Sequence, residues 1–208
     1  MDANAPVVGF DLDMTLIDSR PGLVDTLAAL EQEIGESGLA HPDAVDALFA
    51  SNVDLEFAKW FGAERAPALA DRFREIYRTV GVVGTGILPG AREAVATARA
   101  AGVKVIVVTA KFGPNAVLCL DHVELEVDAV FGRLHGTQKS EVLREHRAFA
   151  YLGDTTADMA AAHAAGAAAV GVATGPASAD DLRTAGAEVV LSSLAEFPAW
   201  WATSLRPS

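Results

Sequence analysis

Apolar residues along this chain gather into short runs rich in β-branched side chains, at residues 7–10, 103–108, 129–131, 149–152, 169–172 and 189–191. Each is followed by a turn and then by an Ala-rich stretch of helical character. Strands and helices alternating in this order predict an α/β protein: a Rossmann-like parallel sheet with helices on its faces.

The alternation stops between about residues 19 and 88. Residues 23–34, 43–50, 55–61 and 66–80 read as helices, with no convincing strand among them. The expected organisation is therefore an α/β core, residues 1–18 and 89–208, with a small helical cap, residues 19–88, inserted after the first strand. Gly81, Gly84, Gly86, Pro89 and Gly90 mark the return to the core, either as a hinge or as an ordinary loop. Near the C-terminus, Phe197, Trp200 and Trp201 read as a helix end that packs its rings onto the body, with a dimer contact as the alternative.

Composition narrows the function classes. A net charge of -12 on 208 residues repels polyanions, and no run of Lys and Arg could track a nucleic-acid backbone. Cys119 is the only cysteine, which excludes an internal disulfide and a cysteine metal cluster and suits a reducing compartment. Residues 1–6 have no basic start, so no signal peptide is read there. The most apolar stretch, residues 157–175, carries Asp158 and His163 and makes a poor membrane span. A soluble, cytoplasmic protein is expected.

Candidate chemistry collects where the strands end. In an open parallel sheet ligands bind at the carboxyl ends of the strands, so polar residues at those ends matter most. The first strand runs into Asp11-Leu12-Asp13-Met14-Thr15, and the second candidate station is Thr109-Ala110-Lys111. Thr137-Gln138-Lys139 opens a helix, and Gly153-Asp154-Thr155-Thr156-Ala157-Asp158 follows another strand. Acids clustered on one edge would repel a phosphate dianion unless a hard divalent cation sat among them, and Mg²⁺ prefers such oxygen ligands. Lys139 falls in the first turn of its helix, where a cation costs about 0.3–1 kcal/mol against the helix dipole unless an anion faces it.

In kind and in order these stations resemble the four motifs of the haloacid dehalogenase-like hydrolases, phosphatase type with a helical cap, similar to the phosphoglycolate phosphatases. The resemblance spans nearly the whole chain. It implies a Mg²⁺-dependent phosphatase of small phosphomonoesters, in which Asp11 is the nucleophile that becomes an aspartyl-phosphate and Asp13 the general acid and then base. It also implies that Thr109 and Lys139 bind the transferring phosphate. Asp11, Asp154 and the backbone carbonyl of Asp13 would hold Mg²⁺, with Asp158 supporting them from behind. Met14 stands where glycine is commonest in such motifs, and Ser140 where many relatives carry proline.

Other residues read less sharply. Lys111, two residues past its strand, is either solvated or in touch with substrate. Arg74 and Arg78 share a helix face that is either solvated or clasps an anionic tail. The five histidines show no metal spacing and read as structural or exposed. Two other functions share parts of the pattern. A phosphomutase of the same superfamily would return the phosphoryl group to a substrate hydroxyl, and a receiver-type signalling module would hold a long-lived aspartyl-phosphate. The double-Asp motif on the first strand and the long insert after it argue against the receiver.

Overall fold

A computed structural model describes residues 5–204. Met1–Asn4, on which most of the signal-peptide reading rests, lie outside the described residues. The chain begins with β1 (Val7–Phe10) and the two-residue β2 (Ile17–Asp18), then α1 (Arg20–Ile34), α2 (Pro42–Ala50) and α3 (Val53–Tyr77). It continues through β3 (Gly86–Ile87), α4 (Ala91–Ala100), β4 (Lys104–Val108), α5 (Gly113–His122), β5 (Ala129–Phe131) and α6 (Thr137–Glu145). β6 (Ala148–Gly153), α7 (Thr156–Ala165), β7 (Ala168–Val172), α8 (Ala179–Thr184), β8 (Val189–Leu191) and α9 (Phe197–Ser204) complete it.

Six strands form one parallel sheet in the order β5-β4-β1-β6-β7-β8. Chain order runs outward from β1 in both directions, so the strand order reverses beside β1 and opens a crevice at its carboxyl end. The two-residue period of a strand sorts the side chains by face. Val8, Phe10, Val105, Val107 and Leu152 pack with α4, α5 and α9, whereas Val7, Ile106, Val108 and Tyr151 pack with Leu143 of α6, Met159 of α7 and Leu182 of α8. The C-terminal rings lie on the first of these faces: Phe197 sits 5.7 Å from Phe10, and Trp201 5.8 Å from Phe149. Among the described residues no helix is long and apolar enough to cross a membrane.

The expected helical insert is present, with two differences. A short antiparallel ribbon, β2 with β3, ties its two ends together. The third and fourth helices run together as α3, but Gly62 breaks the helical backbone at φ +74°, so two helical stretches remain. Phe57 is the centre of the insert's own core, with Trp60, Phe61 and Phe73 at 5.3–5.6 Å. The glycine-rich return is a tight crossing over α1: a Cβ on Gly84 would meet the Gly22 backbone at 2.7 Å. Only glycine lets these two segments approach so closely.

Candidate active site

Strand ends and helix starts bring the polar stations together at one end of the crevice. β1 delivers Asp11, whose amide donates to the Leu152 carbonyl of β6 at 2.8 Å. The chain then turns sharply through residues 12–17, with Met14 in the left-handed region at φ 58°. That backbone is one a glycine adopts without strain, which accounts for glycine at this point of similar motifs. Thr15, buried in the same turn, donates its hydroxyl to Asp154 Oδ1 at 2.8 Å. Sequence reading gave Thr15 no role, since a threonine in a turn carries no signal of a partner 139 residues away.

Lys139 is the charge centre. Its Nζ lies 3.0 Å from Asp11 Oδ1, 2.7 Å from Asp158 Oδ1 and 3.1 Å from the Tyr151 hydroxyl, in a pocket where all four side chains are buried. The anions expected in front of this helix start are therefore Asp11 and Asp158. Burial alone would lower the Lys139 pKa, but Asp11, Asp158 and Tyr151 lift it well above its usual value. Tyr151 donates its hydroxyl to the Val108 carbonyl at 2.7 Å and so accepts from Lys139. Its role was hidden, because it reads as one more apolar residue inside a strand.

Asp158 both caps its helix and reaches the site. Thr155 and Asp158 form a reciprocal capping box at the start of α7, and Asp158 Oδ2 accepts from the Thr155 hydroxyl at 2.6 Å. With Oδ1 on Lys139, both oxygens of Asp158 are engaged within the protein. Carboxylate oxygens of Asp11, Asp154 and Asp158 all fall within 4.8 Å of one another. The Asp13 carboxylate lies outside that group and accepts from Lys111 Nζ at 2.8 Å. Lys111 is thus neither solvated nor free, and its Nζ also sits 4.2 Å from the centre of the Tyr77 ring.

Burial pushes the Asp11 carboxyl up to about 7, the charges of Asp158 and Asp13 adding to the rise and Lys139 opposing it. Asp154 is lifted well above the carboxylate range by burial and by Asp11 and Asp158. Two adjacent buried carboxyls that resist ionising are the donor set that a hard divalent cation would stabilise. The acidic cluster is therefore compatible with a divalent metal. Its walls are tightly packed: a Cβ on Gly175 would fall 1.7 Å from Asp154 Oδ2, and one on Gly153 would fall 2.5 Å from the Asp158 side chain.

Above these residues lies a cavity of about 650 Å³ between the strand ends and the helical insert. Asp11, Asp13, Thr109, Lys139 and Asp154 line its floor, and Arg74, Tyr77 and Phe49 its roof. Thr109 is buried at the end of β4, its hydroxyl accepting from the Lys111 amide at 3.2 Å. Arg74 and Arg78 part company: Arg78 is exposed at the end of α3, whereas Arg74 is buried on the cavity wall and pairs with Asp54 at 2.6 Å. His135, read as structural or exposed, also lines the cavity.

Residues 6–166 match the haloacid dehalogenase-like hydrolase family model, and residues 140–197 match a second, HAD-hydrolase-like one. A phosphoglycolate phosphatase of Chromobacterium violaceum is 30% identical over 91% of this chain and 93% of its own length. One from Caulobacter vibrioides is 30% identical over 63% of this chain, a match spanning 59% of that relative. Among solved structures, a haloacid dehalogenase-like hydrolase of Bacteroides fragilis superimposes with a TM-score of 0.79 at 20% identity, covering 93% of this chain and 99% of that one. The chain belongs to the haloacid dehalogenase-like hydrolases and is a phosphoric monoester hydrolase of the phosphatase type.

Proposed function

We propose that this protein is a Mg²⁺-dependent phosphatase of a small phosphorylated metabolite, working through an aspartyl-phosphate on Asp11. One observation carries the reading: Asp11, Asp154 and Lys139 share a buried pocket at the carboxyl end of the central strand, on the floor of a ligand-sized cavity. Residues 1–18 and 89–208 form the catalytic core, residues 19–88 the cap that covers the substrate, and the protein works in the cytoplasm, apart from nucleic acid and membranes. The relatives' names make 2-phosphoglycolate one ester to be tested.

Asp11 attacks phosphorus, the bond to the leaving oxygen breaks, and Asp13 gives its proton to that oxygen. Water then attacks the aspartyl-phosphate, Asp13 takes the water's proton, and inorganic phosphate leaves with Asp11 restored. Lys111, hydrogen-bonded to Asp13, holds its carboxylate over the site. Thr109 and the neighbouring backbone amides orient the phosphoryl group, and Lys139 balances charge on it and on Asp11. Asp11, Asp154 and the Asp13 carbonyl would hold Mg²⁺, which when bound neutralises phosphoryl oxygens. The test is phosphate release from a panel of monoesters with Mg²⁺ or with EDTA, for the wild type and Asp11→Asn. Turnover that needs the metal and falls at least about 10³-fold in the variant is expected. Full activity in Asp11→Asn would refute the mechanism, and an isomerised sugar phosphate in place of free phosphate would mark a mutase.

A further inference from the structure

Resting on the phosphatase reading, we infer that the leaving group is an uncharged alcohol larger than two carbons, and that esters carrying a carboxylate or a second phosphate are poor substrates. Every cation lining the cavity among the described residues already has a carboxylate partner. Lys139 has Asp11 and Asp158, Lys111 has Asp13 at 2.8 Å, and Arg74 has Asp54 at 2.6 Å and Asp71 at 2.9 Å. Arg133 shares Asp54 at 3.2 Å. A second anion on the substrate would have to compete with that acid for the cation, and the displaced acid would stay on the wall beside it and repel the anion.

The rest of the wall agrees. Asp181 adds one more carboxylate to the cavity lining. His135 offers no further cation, because burial and the nearby charge of Lys139 hold its pKa below the usual value. Asn115, buried on the wall, donates its Nδ2 to the Arg74 carbonyl at 3.1 Å, which can only accept. Its amide is thereby oriented, and Oδ1 has no partner among the described residues. The Ser19 hydroxyl, also buried and lining the cavity, is likewise unpartnered. Both oxygens are closed off from solvent, so neither offers a second anion a contact. A cavity of about 650 Å³ lined by Leu23, Phe49 and Phe73 is also far larger than a two-carbon acid requires.

Matched esters test this, since within each pair size is nearly constant and only tail charge differs. kcat/KM is measured for hydroxyethyl phosphate against 2-phosphoglycolate, and for glycerol 1-phosphate against 3-phosphoglycerate. Preference for the neutral member by fivefold or more in both pairs is expected, with glycerol 1-phosphate above hydroxyethyl phosphate. A smaller preference, or one for the carboxylate, overturns the inference while leaving the phosphatase reading intact. No turnover of these four esters or of p-nitrophenyl phosphate would instead bring down the phosphatase reading itself. Asp54→Asn, at a half-exposed first-turn position, frees Arg133 and half of Arg74's pairing. It should move both ratios toward the carboxylate at least threefold, and unchanged ratios would overturn the charge argument.

Discussion

The floor and the roof of the cavity hold their charges in opposite ways. On the floor, the Lys139, Asp11 and Asp158 side chains are 9%, 10% and 0% exposed and share one hydrogen-bonded network. On the roof, Arg74 is nearly as buried, but its partners Asp54 and Asp71 are 43% and 76% exposed. A buried network fails as a unit when one member is lost, because the stranded charge cannot be hydrated. A half-exposed pair hands its charge to water and loses little. On the proposed function, the strand ends would carry the chemistry and the helical insert the recognition.

Lys139→Met should show the largest effect, leaving Asp11 and Asp158 buried without their cation. Removing one partner of a buried pair costs about 3–5 kcal/mol, and thermal unfolding should register this as a fall of roughly 10 °C. Survival of wild-type stability would mean the floor is not a single unit. Arg133→Ala touches the roof from a side chain that is 54% exposed. It should cost less than about 1 kcal/mol and appear as a change in KM with kcat held. A loss of stability as large as that of Lys139→Met would erase the contrast between the two halves.

The smallest effect concerns pH. His135 has a folded pKa below its ordinary 6.5, so the unfolded chain binds the proton first as pH falls. The stability due to the neutral ring is fully present above 6.5 and is lost progressively below it. Wild type and His135→Gln, melted in parallel from pH 7.5 to 5, should diverge only in the acid half of that range, the wild type losing more.

Much of this architecture could be read from the chain. Residues 7–10, 129–131 and 189–191 are strands with the expected bounds, because β-branched runs bounded by turns carry their own signal. The ribbon of β2 and β3 could not be seen, since two residues cannot display an alternating pattern. The site divides along the same line. Asp11, Thr109, Lys139 and Asp154 stand where strands end or helices begin, which sequence locates. Tyr151, Thr15 and Lys111 acquire their partners only when distant segments are placed side by side. Arg74 stayed between a solvated face and a clasp on an anionic tail, because helical spacing says which residues share a face and not what that face meets.

Gly175 offers no functional group, and no motif reading would single it out. Yet the space its missing side chain leaves is where Asp154 sits. Were every position of this chain varied and the survivors sorted by activity, residue 175 would sort with the acids. The pattern of tolerated change would then outline the acidic wall from outside, as a mould records the shape of what was cast in it.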